Sequence, residues 1–175
     1  IFPEFKYQER LKKNIFFENP ELIFSLLLVD EKDNYEYFCH KYKVSNKLKK
    51  NLSFIANNYI KFKGEKNFLK KDLKKNIYNH GKENIILLIK FIYCVELKFS
   101  TKLLGNLLVD VDKIKIPSFP FDGQYLKEQG LTEGKEIGFV LKKLEKEWLD
   151  KDFNLKVNEA ISIINKVKKS SILNV

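Results

Sequence analysis

Between Gly130 and Lys143 the chain reads GLTEGKEIGFVLKK, and these are residue types that can hold an anion. A helix that begins after Thr132 presents unpaired backbone N–H groups and the positive end of its dipole. Thr132 offers a hydroxyl as well as a cap, Gly134 and Gly138 leave the backbone open to close approach, and Lys135 adds charge. Lys142 and Lys143 extend the positive edge away from the Ile137–Leu141–Leu144 face. Gly130, Thr132, Gly134, Lys135, Gly138, Lys142 and Lys143 therefore form a candidate phosphate-binding set that would grip a phosphate without reading a base. The competing reading is an ordinary helical hairpin whose glycines serve only packing. Both stand on the residues alone.

Other chemistry-bearing residues are sparse. Asp110-Val111-Asp112 places two carboxylates on one side of an extended segment, since side chains alternate along such a backbone. The segment Val109–Ile116 alternates apolar and polar residues and reads as a solvated, extended connector. Cys39 and Cys94 are isolated, so neither a zinc site nor a disulfide framework is expected, and a reducing cytosol suits them. His40 and His80 join no triad and read as surface or capping residues. Asp150 and Asp152, two residues apart at a helix end, turn away from each other. Trp148, Phe119 and Phe121 are aromatic enough to stack a base, but Trp148 continues an apolar stripe and reads as core. No Walker loop, HExxH or GxSxG motif occurs. The expectation is no catalytic residue and no metal ligand in this chain.

The elements that must position the candidate set are helical. Pro117 and Pro120 forbid helix before a short one at Tyr125–Gln129, which Gly130 closes in the left-handed position. Thr132 caps the next, with Ile137, Leu141, Leu144, Trp148 and Leu149 on one face. Upstream, residues 1–18 read as one helix. Pro20 opens a helix through Val29 with Leu22, Ile23, Leu26 and Leu27 inward, and residues 30–34 form a polar loop. Tyr35–Tyr42 is a short helix, and Ser45 caps Lys47–Tyr59. Residues 61–66 around Gly64 read as a linker, then Leu69, Leu73 and Ile77 mark one further helix. Ile85–Ile89 is apolar nearly all round, in a buried helix at Glu83–Leu97. Ser100 caps Thr101–Leu108, and Val157–Lys169 is helical before fraying from Ser170. The fold expected is all-α, an irregular helical bundle ending in a glycine-turn hairpin: a helical body over 1–113, the tail hairpin over 114–155, and a C-terminal helix with a frayed end over 156–175.

Composition bounds the partners. The 175 residues are 44% hydrophobic and 14% aromatic, enough to bury a core. No run of about 18 apolar residues offers a membrane span. The net charge is +10, carried by lysine, since Arg10 is the only arginine. Abundant Ile, Asn and Lys is also what an AT-rich genome would give, so the charge permits nucleic-acid binding without proving it. The chain starts at Ile1 and has no methionine, so it reads as a fragment of a longer polypeptide.

The register Pro117-x-Phe119-Pro120-x-x-Gly123-x-x-Leu126-x-x-x-Gly130-Leu131-x-x-Gly134-x-x-Ile137-Gly138-x-x-Leu141, followed by Trp148 and Phe153, resembles the C-terminal helical hairpin of bacterial tRNA nucleotidyltransferases. These are the CCA-adding enzymes, whose fold is shared with bacterial poly(A) polymerases. Weaker similarity reaches Tyr78-x-x-Gly81-x-Glu83, Leu22–Leu28 and Ser45-Asn46-Lys47. The resemblance implies a cytoplasmic parent enzyme that adds C, C and A from CTP and ATP to tRNA 3′ ends. Its catalytic head would hold Mg²⁺ on two carboxylates at DxD spacing, beside a glycine-rich nucleotide-binding turn. Nothing like that turn precedes Asp110, so the resemblance implies that the head is absent here. The part present would hold the tRNA acceptor and TΨC arm, the same region serving a poly(A) polymerase equally well. A helical protein-interaction module is the reading from a different class.

Overall fold

The computed structural model describes residues 2–16, 18–65, 67–132 and 134–172, the last four by their backbone. Among the described residues every regular element is a helix, so the fold is all-α. Two compact units divide the chain, Ile1–Lys115 and Ile116–Val175.

The first unit runs from a 3₁₀ turn at Gln8–Lys13 through α1 (Pro20–Leu28), α2 (Asn34–Tyr42), α3 (Asn46–Gly64), α4 (Phe68–Lys71), α5 (Leu73–His80), α6 (Lys82–Val95) and α7 (Thr101–Lys113). Local chemistry starts several of these. Pro20 sits at the first turn of α1, and the Asn19 side chain accepts from the Leu22 N–H at 2.9 Å. Ser45 and Ser100 do the same for α3 and α7, accepting from the N–H groups of Leu48 and Leu103 at 3.2 Å. Helix α6 is the centre of the unit, with α1, α3, α5 and α7 against it. Its Leu88, Ile89, Phe91 and Ile92 have no exposed surface, which is why its sequence is apolar on every side. Each such side chain stabilises the fold by about 2 kcal/mol through burial alone. The single arginine is turned inward. Arg10 donates to the carbonyls of Leu26 and Val29 at the end of α1 and lies 3.8 Å from the Tyr7 ring centroid.

Four sequence expectations fail in this unit. Residues 1–18 hold a 3₁₀ turn in place of a helix, with 1 and 17 outside the described residues. Here Phe2 and Phe5 pack on Phe38, and Glu4 bonds to Lys41 at 2.9 Å, so side-chain docking directs the segment. The expected linker at 61–66 is the last turn of α3 as far as Gly64, because Phe62 is buried one turn beyond Tyr59. The expected helix through Leu69 and Ile77 is broken at Asp72, which leaves α4 and α5 separate, though Leu69, Leu73 and Ile77 are all buried. Finally, α7 continues to Lys113. Leu104, Leu107 and Val111 are its buried face, and this helical spacing overrides the short alternation read as extended.

The second unit contains α8 (Gly123–Glu128), α9 (Gly134–Asp150) and α10 (Val157–Ile172). Asp122 caps α8, accepting from the Tyr125 N–H at 2.8 Å. Helix α8 closes in a Schellman turn: the Leu131 N–H reaches the Leu126 carbonyl at 3.1 Å and the Gly130 N–H the Lys127 carbonyl at 2.8 Å. Gly130 has φ +82°, and Leu126 and Leu131 are buried beside the turn. Helix α9 ends in the same motif. The Phe153 N–H reaches the Trp148 carbonyl and the Asp152 N–H the Leu149 carbonyl, but here two side-chain-bearing residues are left-handed, Asp152 at φ +52° and Phe153 at φ +65°. Val140, Leu144, Trp148, Ala160 and Ile164 form the core. Val157 is exposed at the first turn of α10. That helix continues through Ile172, past the expected fraying point at Ser170; residues 173–175 are outside the described set.

Candidate nucleic-acid interface

The seven residues of the candidate set divide into two kinds. Gly130 is conformational. Its positive φ suits glycine, and a Cβ there would lie 3.2 Å from the Lys168 Nζ. That ammonium donates to the Gln129 carbonyl, so α10 itself closes the turn. Thr132 is exposed and lies two residues before α9. The capping position expected for it falls on residue 133, outside the described residues.

Gly134 and Gly138 are different. A Cβ at either would meet no atom within 4 Å. The reading of these two as packing glycines therefore has no support within the chain. A glycine inside a helix costs about 1 kcal/mol relative to alanine, and here two occur one turn apart with no internal contact that needs them. Their shared effect is a bare strip of backbone along the first turns of α9, beside the N–H groups that a helix leaves free at its start.

Lys135, Lys142 and Lys143 are all exposed; Lys142 lies one turn beyond Gly138 on the same side of α9, and Lys143 lies on the opposite flank. With 3.6 residues per turn, Lys135, Phe139, Lys142 and Lys146 fall within an arc of about 60° over roughly 16 Å of helix. Phe139 is 58% exposed at the middle of this stripe. None of the four lysines is in an ion pair with a described residue, whereas Lys151, beyond the end of α9, pairs with Glu159 at 2.5 Å. Phe139 and Lys146 were not in the sequence-derived set. Their signal was the spacing of 4, 3 and 4 from Lys135 to Lys146, read only for its apolar counterpart on the opposite face.

Of the other aromatic candidates Trp148 and Phe121 are buried and Phe119 is half-buried against them. Trp148 is 2% exposed, with the ring centroids of Phe119 and Phe153 at 5.3 and 4.8 Å. They hold α9 in place and leave Phe139 as the aromatic face open to a ligand.

Asp110 and Asp112 are both exposed on α7, where neighbours two apart diverge by about 160°, with Val111 buried between them. That pair does not converge on a metal ion, which corrects its reading as a same-side pair. Among the described residues no group of three or more His, Cys, Asp or Glu side chains could hold one. Burial pushes the Cys94 thiol up to about 11 and also raises Cys39, so neither is a thiolate nucleophile at neutral pH. Burial, and then Lys61, hold His80 below its ordinary value. No described helix is long and apolar enough to cross a membrane.

Comparison with known proteins points in one direction. No protein-family model and no solved structure matches the chain. Curated relatives are named CCA tRNA nucleotidyltransferase 1, mitochondrial. The chain is 32% identical over 61 residues to the Mus musculus protein, 33% over 60 to that of Homo sapiens, and 33% over 61 to that of Danio rerio. The similarity takes in about a third of this chain and spans 14% of the length of each relative. These are animal mitochondrial proteins, whereas the motif resemblance was to bacterial ones; the nucleotidyltransferase name is common to both.

Proposed function

We propose that this chain is a tRNA-gripping part of a tRNA nucleotidyltransferase that completes the CCA end, with the outer stripe of α9 as its contact surface. The observation that carries the reading is the pair Gly134 and Gly138, bare of any internal packing role and flanked by Lys135 and Lys142. An RNA phosphate can approach a backbone that has no Cβ in the way, where helix N–H groups donate and the dipole is positive. The lysines neutralise neighbouring phosphates and release counterions. Phe139 lays an apolar face against a sugar or a terminal base. A-form RNA hides its base edges, so grip by phosphate and shape suits a protein that must accept every tRNA.

Nucleotidyl transfer in this family uses Mg²⁺. Asp110 and Asp112 do not fit that ion, so no step of the reaction is assigned to residues of this chain. The similarity named above supports tRNA as the ligand. The test is binding to an acceptor–TΨC minihelix, titrated from low to physiological salt, for the parent chain and for the Lys135→Glu, Lys142→Glu, Lys143→Glu variant. Salt-sensitive binding that the variant loses supports the reading. Binding that the variant retains in full removes the contact from α9.

A further inference from the structure

The α9 stripe leaves most of the charge unused. Of the 33 basic residues, 23 lie in residues 1–115 with 14 of the 23 acidic ones, a net of +9. Helix α3 concentrates it: its 19 residues include Lys47, Lys49, Lys50, Lys61 and Lys63 and no Asp or Glu. Two of these are neutralised in the fold. Lys47 pairs with Glu21 at 2.9 Å, and Lys63 pairs with Glu31. The other three are in no ion pair with a described residue, and all three line one open groove of about 560 Å³.

The chemistry of that groove is uniform. Asn46, Lys50, Ser53, Asn57 and Lys61 recur every three or four residues along one face of α3, and no carboxylate lines the cavity. Lys49 and Lys61 are about 18 Å apart along the helix, enough to accompany several consecutive phosphates of one strand. Between them lies an aromatic step, Phe54 and His80, with ring centroids 4.9 Å apart. His80 comes from the last position of α5, so the groove is made only when α5 docks on α3.

We infer that this groove is a second RNA site, one that takes the phosphodiester backbone of a single strand or a strand end. The lysines meet phosphate. Ser53 and the Asn46 and Asn57 amides both donate and accept, which matches a 2′-hydroxyl, itself donor and acceptor. The Phe54–His80 step offers a ring face to a splayed base, the usual accompaniment to a basic channel for single strands. An acidic peptide would use the charge but has no call on the rings. The choice of RNA rests on the α9 reading, whereas the site uses none of its residues.

The test takes the full chain with three RNA probes: the minihelix, the minihelix with a single-stranded 3′ extension, and the extension alone. The Lys49→Gln, Lys50→Gln, Lys61→Gln variant is compared with the α9 charge reversal, each confirmed folded by its thermal transition. The His80 imidazole proton resonances are followed during each titration. The expected result is that the groove variant binds the extended probe about tenfold more weakly than the parent at physiological salt. Its log affinity against log salt should be shallower by about 2. The His80 resonances should move with the extension even in the α9 variant. Unchanged affinity and slope in the groove variant, with His80 unmoved, overturn the inference whether or not α9 binds. Loss of minihelix binding in the α9 variant alone leaves the α9 reading intact in that case. Displacement of the extension by poly-glutamate at equal charge concentration would overturn the assignment to RNA.

Discussion

Residues 1–115 carry a net charge of +9, and residues 116–175, with ten basic and nine acidic side chains, carry +1. The hairpin proposed to grip RNA is therefore in the nearly neutral unit. The two regions use charge differently. In the first, lysine exceeds acid in sum, despite six acidic residues and one lysine over residues 14–40, and gives a field that attracts any polyanion over a distance of about a Debye length. In the second the signs are segregated. Lys135, Lys142 and Lys146 share one stripe of α9, and Glu136 and Glu147 lie off it. Net charge measures the field; local segregation, exposed backbone and an aromatic mark a contact. A count of lysines alone points away from the unit with the proposed hairpin site and does not separate α3 from the rest of its own.

The comparison breaks first at the lysines themselves. Reversing Lys135, Lys142 and Lys143 should weaken minihelix binding by about 100-fold at physiological salt if each meets a phosphate as proposed. Reversing Lys12, Lys32 and Lys43, which lie outside both proposed sites, should cost less than about threefold through the field alone. Fluorescence anisotropy at two salt concentrations measures both. Equal losses would mean that the field is the whole effect.

Next come the two Schellman turns, which differ in their left-handed residues: Gly130 in the first, Asp152 followed by Phe153 in the second. Gly130→Ala should destabilise the chain by about 1–2 kcal/mol, because an L-residue resists positive φ and its Cβ would press on Lys168. Asp152→Gly, at the equivalent place after α9, should stabilise by about 0.5–1 kcal/mol. Urea denaturation reports both, and the same sign for the two would refute the equivalence of the turns.

Gly138→Ala sharpens the functional half of the comparison. With nothing within 4 Å of the new Cβ, helix propensity should raise stability by about 1 kcal/mol while RNA binding weakens by severalfold. A packing glycine gives the opposite sign in the first measurement. Gain of stability without loss of binding would leave the open backbone with no function.

The smallest effect is electrostatic and confined to the first unit. Burial raises the Glu4 carboxyl, but hydrogen bonds from Lys41 and Tyr42 outweigh it and hold the group below its ordinary value of 4.5. A lowered carboxylate contributes stability above its unfolded value and loses it as pH falls through the folded one. Stability should therefore drop below about pH 4.5. Glu4→Gln should flatten that acid limb, as thermal melts between pH 3 and 6 would record.

The sequence by itself determined the helices whose signals are local. Ser45 and Ser100 announce α3 and α7 through hydrogen bonds that span three residues, Pro20 announces α1 through its fixed φ, and Gly130 announces its turn because φ there is a property of one residue. The apolar stripe of α9 was legible for the same reason, since burial on one face leaves a period of 3.6, and α6 showed itself by an apolar run nearly all round at Ile85–Ile89. The continuation of α7 through Asp110 and Asp112 was not legible locally, because the alternation over Val109–Ile116 competes with a helical face until Val111 finds its core. Nor was the 3₁₀ turn at Gln8–Lys13, which exists where Phe5, Glu4 and Arg10 dock on α1 and α2. Only the tertiary structure decided which lysines are free. Lys47 and Lys49 look alike in the sequence, and one is neutralised by a glutamate 26 residues away while the other faces an open groove. Charge is a property of composition, but its availability depends on what the fold brings within 4 Å of it.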